Sequence, residues 1–196
     1  ADAVKTFPVT RFLGYDELST DQAIIAGILV DGQLADELNE GDTAVLILDQ
    51  TPFYAESGGQ VGDTGTITTP TGVAEVLDTT FALPGLRRHR ARLVSGTIAA
   101  GQNATAAIDV VRRDAIRRNH TGTHILHHAL RVVLGAHVKQ AGSLVGPDRL
   151  RFDFSHYSAV SDEEIAQIEQ IANTEVLNNV PARSYETTKD EATALG

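Results

Sequence analysis

Four of the seven histidines fall within nine consecutive residues, at positions 120, 124, 127 and 128. On a helix, His120 and His124 are one turn apart and displaced by only about 40° around the axis. Two imidazoles at this spacing can bind one metal ion from the same side, which makes His-x-x-x-His a zinc half-site. Paired helical histidines also occur simply solvated or hydrogen-bonded, and the spacing alone leaves both interpretations open.

The segment is predicted to be helical from about residue 112 to residue 134, with Gly135 ending the helix. The histidines at 120, 124 and 127 share one stripe of that helix with Arg131. A second stripe is apolar, as expected of a face buried in a core. It consists of Leu126, Leu130, Val133, Leu134 and Val138. A histidine stripe beside an apolar stripe indicates a helix that lines a cleft.

The composition excludes several classes of protein. The chain has 196 residues, 42% of them hydrophobic, which suffices for one large domain or two small ones. No apolar run approaches the length of a membrane span and no signal peptide begins the chain, so no membrane partner is expected. Cysteine is absent, which excludes disulfides and thiolate ligands. Methionine is absent even at position 1, which favours a piece of a longer protein.

Positive charge is clustered although the net charge is −10. The acidic balance argues against a non-specific nucleic-acid binder. One basic group lies at residues 87–92, and a second directly precedes the histidines. The second group consists of Arg112, Arg113, Arg117 and Arg118. Such groups are commonly solvated helix faces, but two of them in an acidic chain favour an anionic ligand.

The pattern of the chain changes near Asp109. Before it, short strand-like runs with turn signals every eight to twelve residues predict an antiparallel barrel or sandwich. After it, we predict the long helix, strands at 139–145 and 150–154, and a helix beginning with a capping box at Ser161. A strand at 182–185 and a short helix at 190–195 complete the prediction. The fold class is therefore α+β, with one domain at residues 1–108 and a second at 109–196.

Four segments taken together resemble the middle of a bacterial alanyl-tRNA synthetase. They are TRFLGYD at 10–16, QTPFYAESGGQVGD at 50–63, RNHTGTH at 118–124 and LRFDFSH at 150–156. The resemblance covers essentially the whole chain. It implies an antiparallel β-barrel followed by an editing domain, whose fold is shared with threonyl-tRNA synthetases and free-standing alanyl-tRNA editing proteins.

The resemblance also implies a function. Enzymes of this family are cytoplasmic and attach alanine to tRNA(Ala) using ATP, and their editing domain hydrolyses Ser-tRNA(Ala) and Gly-tRNA(Ala). No phosphate-loop motif is present, so we do not expect ATP to bind to this part. The expected partner is tRNA(Ala), and DNA is not expected. The group Arg112, Arg113, Arg117 and Arg118 is then the predicted tRNA-facing surface.

The resemblance also implies roles for individual residues. His120 and His124 match the first two zinc ligands of the family, whereas the cysteine and histidine that complete its site have no counterpart before Gly196. We therefore expect weak or absent zinc binding here, and folding that does not depend on metal. Thr123 and Gln140 match residues of the editing pocket and are the catalytic candidates.

The glycine-rich turn matches a barrel motif that lies against the editing site, and its substrate-binding candidates are Gly58, Gly59 and Gln60. Taken without the resemblance, Thr123 is a helix-packing residue, Gln140 an exposed strand residue, and the glycines a hairpin turn.

Editing suits these residue types, because an apolar pocket cannot strongly reject a substrate that merely adds a hydroxyl. Zinc in such a site activates water or orients the aminoacyl group, and the sequence leaves both open. Two other interpretations also stay open. One is a free-standing alanyl-tRNA editing protein, and the other is a non-catalytic tRNA-binding module.

Overall fold

A computed structural model describes residues 3–181 and 187–195 of the chain. Its strands are β1 (Arg11–Phe12), β2 (Ser19–Val30), β3 (Gln33–Ala35), β4 (Glu37–Asn39), β5 (Thr43–Leu48), β6 (Gln50–Thr51), β7 (Gly65–Thr68), β8 (Gly72–Leu83), β9 (Leu86–Ala99), β10 (Asn103–Ile108), β11 (Lys139–Val145) and β12 (Leu150–Ser155). Its helices are a 3-10 turn at Ala3–Thr6, α1 (Val110–Leu134), α2 (Asp162–Asn178) and α3 (Lys189–Leu195). The fold class is α+β, as predicted.

Six antiparallel strands close into a barrel. Around the ring they run β10, β7, β8, β9, β5 and β2, and a direct pairing of β10 with β2 closes it. The interior is filled by fully buried side chains that include Ile25, Leu46, Phe53, Leu93 and Ile98. The predicted antiparallel barrel is confirmed, and the ring closure decides against a sandwich.

The barrel interior also holds one histidine from the basic group at residues 87–92. His89 is fully buried, with Nδ1 3.0 Å from the carbonyl oxygen of Leu46 and Nε2 2.9 Å from Thr51 Oγ1. A carbonyl oxygen only accepts, so Nδ1 carries the proton and Nε2 accepts from the threonine hydroxyl. Burial lowers the pKa of His89 to about 4, although the hydrogen bond to Leu46 acts in the opposite direction. His89 is therefore a neutral structural residue.

Helix α1 begins directly after the last barrel strand. Asp109 caps it by accepting a hydrogen bond from the backbone N–H of Arg112 at 3.0 Å. Gly135 ends it with φ of +111° and donates its backbone N–H to the carbonyl of Arg131. The predicted helix and its glycine end are confirmed, and the helix starts two residues earlier than predicted.

A second hydrophobic core lies where α1, α2 and the β11–β12 hairpin meet. It is built on the buried side chains of Ala129, Leu130, Val138 and Ile168. The capping box predicted at Ser161 is present, with Glu164 as its second member. The short helix near the end is confirmed, whereas the strand predicted at 182–185 lies outside the described residues. The division into domains at residues 1–108 and 109–196 stays a prediction.

A histidine pair beside a glycine-rich turn

His120 and His124 lie side by side on the exposed surface of α1, with ring centroids 5.1 Å apart. Nδ1 of His120 is 2.7 Å from Oε1 of Gln60. Because this oxygen only accepts, Nδ1–H donates and the lone pair stays on Nε2. Partial burial and then the neighbouring His124 ring lower the pKa of His120 below its usual value. At neutral pH His120 thus presents an unprotonated Nε2.

The Gln60 side chain is positioned by the glycine-rich turn at residues 57–60. The turn docks on strand β11 through the backbone: the Val145 N–H donates to the Gly59 carbonyl at 2.7 Å, and the Val61 N–H donates to the Val145 carbonyl at 3.1 Å. The turn therefore acts as an additional short strand at the edge of the hairpin. This pairing brings the barrel motif against the histidine-bearing part of the chain.

Gly59 is required at this junction for two reasons. Its φ is +85°, a conformation that side chains other than glycine adopt at a cost. A Cβ on Gly59 would also lie 2.4 Å from Ser143 Oγ and 2.6 Å from the Ser143 carbonyl oxygen. Gly58 shares the positive φ, at +59°, but a Cβ there would meet open space. Gly58 is thus needed for the turn, and Gly59 is needed both for the turn and for its docking on β11.

Arg113 fastens α1 to the barrel. Its guanidinium is buried and pairs with the carboxylate of Asp63, with Nε 2.9 Å from Oδ1. Nη1 donates to the carbonyl of Gly14 at 2.9 Å, and Nη2 donates to the carbonyl of Pro52 at 3.0 Å. The predicted grouping of Arg113 with a tRNA-facing surface does not fit this burial, because its donors are used inside the protein.

The catalytic candidates lie in different surroundings. Thr123 is buried, and its hydroxyl donates to the Asn119 carbonyl at 2.8 Å, one helical turn earlier. Gln140 is exposed on β11, and its Nε2 lies 3.4 Å from Ser143 Oγ, the atom that Gly59 approaches. Gln140 therefore adjoins the docked turn. The catalytic role of both residues stays a prediction.

The remaining predicted arginines are placed individually. Arg112 is partly buried and donates Nη1 to the Gly62 carbonyl at 2.8 Å. Arg117 is exposed, with Asp114 at 3.7 Å. Arg118 is exposed and has no ion pair or hydrogen bond from its side chain within the described part of the chain. Arg117 and Arg118 line a cleft of about 590 Å³ between α1 and the end of α2.

Sequence reasoning missed several contacts that shape the site. Asn119 donates its Nδ2 to the carbonyls of Gly146 and Pro147, at 2.8 and 3.2 Å, and so ties α1 to the turn of the hairpin. Sequence reasoning also missed the close approach of Gly59 to Ser143. These pairs are 27 or more residues apart, and no local pattern signals them.

The other histidines lie outside the pair. His127 packs on Phe152 with ring centroids 5.1 Å apart, and its Nε2 is buried without a hydrogen-bond partner in the described structure. His137 and His156 are joined by a hydrogen bond of 2.9 Å between Nε2 and Nδ1. His128 is exposed.

The donor set suits half of a zinc site. His120 donates its second ring nitrogen to a carbonyl oxygen, the arrangement that orients histidine ligands in metal centres. Within residues 3–181 and 187–195, no group of three or more His, Cys, Asp or Glu side chains is arranged to hold a metal ion. His120 and His124 thus offer zinc two ligands, which is half of a tetrahedral site.

Residues 1–112 match the family model described as tRNA synthetases class II (A). That match covers more than half of the chain, which belongs to this family. The alanine–tRNA ligase of Chloroflexus aurantiacus is 49% identical over 189 residues, covering 96% of this chain and 21% of that protein. The alanine–tRNA ligase of Paracoccus denitrificans is 47% identical over 195 residues, covering 100% of this chain and 22% of that protein. The alanine–tRNA ligase of Bordetella petrii is 48% identical over 187 residues, covering 95% of this chain and 21% of that protein. The chain thus spans about a fifth of the length of these relatives.

None of the helices in the described part is long and apolar enough to cross a membrane.

Proposed function

We propose that this chain is part of an alanine–tRNA ligase, the enzyme that attaches alanine to tRNA(Ala) using ATP. Within that enzyme it forms the post-transfer editing module. Its reaction is hydrolysis of the ester that joins serine or glycine to tRNA(Ala), so its substrates are Ser-tRNA(Ala) and Gly-tRNA(Ala). ATP binds elsewhere in the enzyme.

The observation that carries this proposal is the junction of the glycine-rich turn with the histidine pair. Gln60 from the barrel hydrogen-bonds His120, and Gly59 lies against Ser143 on the strand that also carries Gln140. Two segments about 60 residues apart are thereby brought together, with the exposed side chains of His120 and Gln140 beside the buried Gln60. Fixed donors and acceptors in such an arrangement suit the recognition of a small polar aminoacyl group.

Gln140 and Thr123 are the side chains we assign to the aminoacyl group. The amide of Gln140 both donates and accepts, which suits it to a serine hydroxyl or to the amino group of the substrate. Thr123 sits one residue before His124 and keeps an acceptor lone pair after donating to Asn119. Because Thr123 is buried, we assign it the role of positioning the surface of α1 beside the substrate.

His120 and His124 are the residues that would hold zinc, with Gln60 orienting the ring of His120. Zinc, when bound, would activate water or orient the aminoacyl group. The chain's own contribution is to keep Nε2 of His120 unprotonated and directed away from Gln60. Two imidazoles do not close a tetrahedral site, so further ligands must come from outside the described residues.

The test is deacylation of Ser-tRNA(Ala) by the full-length enzyme, measured beside aminoacylation with alanine. Gln140→Trp is expected to impair deacylation and to spare aminoacylation. The matched control is Gln167→Trp, an exposed glutamine on α2, which is expected to change neither. Equal loss of both activities in Gln140→Trp overturns the local editing role.

The tRNA itself is proposed to approach the exposed arginines Arg117 and Arg118. Charge reversal at both is expected to weaken tRNA(Ala) binding and to flatten its salt dependence, because each phosphate contact contributes to the slope. An unchanged slope removes these residues from the interface.

A further inference from the structure

Arg87 is held between two aromatic rings near the start of strand β9. Its guanidinium carbon lies 4.1 Å from the ring centroid of Phe12 and 5.1 Å from that of Phe81. Contacts of this kind are attractive and fix the plane of the guanidinium. We call the five residues Phe12, Tyr15, Tyr54, Phe81 and Arg87 the aromatic–arginine site.

The guanidinium has no anionic partner within the described residues. Its Nε is buried without a hydrogen bond, while the two terminal nitrogens are not closed off from solvent. Arg92, on the same strand, differs in pairing with Glu75 at 2.7 Å. Burial lowers the pKa of Arg87, a sign that its charge is poorly solvated where it lies. A bound anion would supply the missing partner.

Tyr15 places an aromatic ring in solvent beside Arg87. It is 81% exposed, and its ring meets Phe12 edge to face with centroids 5.0 Å apart. The loop that carries it is tightly held: Arg113 donates to the Gly14 carbonyl at 2.9 Å, and a Cβ on Gly14 would lie 2.2 Å from the Pro52 carbonyl oxygen. An exposed ring on a rigid loop is preorganised for stacking.

The site is continuous with the glycine-rich turn. The rings of Phe12 and Tyr54 have centroids 6.3 Å apart, and the Tyr54 hydroxyl donates to the Ser57 carbonyl at 3.2 Å. A ligand on Tyr15 and Arg87 would therefore lie beside the turn that carries Gln60.

We propose that the aromatic–arginine site binds an unpaired nucleotide of RNA, with a phosphate on the Arg87 guanidinium and a base stacked on Tyr15. Unpaired bases are recognised by stacking on aromatic rings, and a guanidinium matches the geometry of a phosphate. An acidic peptide would satisfy Arg87 but would leave the exposed ring of Tyr15 without a stacking partner. The inference rests on the proposed function in taking tRNA as the RNA.

The experiment measures fluorescence anisotropy of a labelled, unstructured oligoribonucleotide titrated with the chain, from about 50 to about 200 mM salt. Tyr15→Ala is expected to weaken binding about tenfold through loss of stacking, and Tyr15→Phe to retain it. The matched control is Tyr157→Ala, which removes a tyrosine that is 86% exposed elsewhere on the surface and leaves binding unchanged.

Arg87→Gln is expected to reduce the slope of log K against log salt by about 0.7, the value of one single-strand phosphate contact. Arg87→Lys keeps the charge and the slope, and Arg92→Gln, at an ion-paired arginine, leaves the slope unchanged. Circular dichroism of each variant checks that the barrel is intact.

The proposal is overturned by wild-type affinity in Tyr15→Ala, by an equal loss in Tyr157→Ala, or by an unchanged slope in Arg87→Gln. It is also overturned if the wild-type chain does not bind the oligonucleotide, or binds a polyglutamate peptide more tightly. Because the assay involves no hydrolysis, failure of RNA binding with intact deacylation rejects this inference alone. Absence of deacylation with intact RNA binding rejects only the proposed function.

Discussion

Replacing Arg113 by methionine should strongly destabilise the protein. The arginine and Asp63 are nearly inaccessible, with side-chain exposures of 8% and 2%. The variant keeps most of the aliphatic stem but leaves the Asp63 carboxylate buried with one remaining donor among the described residues, the Tyr54 backbone N–H at 2.7 Å. The carbonyls of Gly14 and Pro52 lose their charged donors as well.

The expected loss is about 3–5 kcal/mol, the usual cost of leaving one member of a buried ion pair without its partner. Adding Asp63→Asn should recover part of it, because the buried negative charge disappears while an acceptor for Tyr54 remains. The double variant should then be destabilised by about 1–3 kcal/mol, reflecting the two carbonyls that stay unpaired. The matched control is Arg117→Met at an exposed arginine, where we expect less than about 1 kcal/mol.

Urea unfolding followed by circular dichroism and by tyrosine fluorescence measures these differences, since the chain has four tyrosines and no tryptophan. Coincident transitions are required for a free energy to be assigned. A loss below about 1 kcal/mol for Arg113→Met, or an equal loss for Arg117→Met, would show that the buried pair does not hold α1 on the barrel.

Three further outcomes are expected. Burial lowers the pKa of His89 from 6.5 to about 4, so His89 stays neutral in the folded state while the unfolded chain takes up a proton. The free energy of unfolding should therefore fall by roughly 3 kcal/mol as the pH drops from 6.5 to 4. Urea unfolding across that range should show this loss in the wild type but not in His89→Gln, and equal profiles would contradict it. Gly59→Ala should cost about 1–3 kcal/mol more than Gly58→Ala, because only the former meets Ser143, and it should speed hydrogen exchange at the Val145 amide. Equal costs, with unchanged exchange, would mean that the turn is not docked as described. A chelator should leave the Tm unchanged, because two histidines alone do not form a structural zinc site. A large drop in Tm would reveal ligands beyond His120 and His124.

Local signals predicted the elements better than their ends. Gly135 ends α1 through a cap that involves neighbouring residues, which is why a short segment predicted it, whereas the start of the helix at the Asp109 cap was predicted two residues too late. Only short strands were predicted before Asp109, whereas β8 has 12 residues and ends at Leu83, and β9 has 14 residues and begins at Leu86. The register between β8 and β9 shifts between Phe81 and Leu83. In this part the strands are held by their pairing with each other, without an alternating apolar pattern that the sequence could show.

Basic residues were harder to place, because charge clustering in the sequence does not indicate burial. His89 lies in the barrel interior between the exposed Arg88 and Arg90, since neighbouring strand residues face opposite sides. Arg113 was grouped with exposed neighbours, although its partners Asp63, Gly14 and Pro52 lie 50 or more residues away in sequence. Only the folded contact distinguishes a structural arginine from a surface one.

The same contact explains why the glycine-rich segment and the histidine segment belong together. Arg113 and His120 are seven residues apart, which places them on one side of α1 about 10 Å apart along its axis. Each meets the segment at 50–63, Arg113 through Asp63 and His120 through Gln60. One such contact would leave the helix free to rotate or slide, but two of them fix both motions. The histidine pair is therefore oriented by the barrel, and a substitution at Asp63 should disturb the surface around His120 although the two residues do not touch.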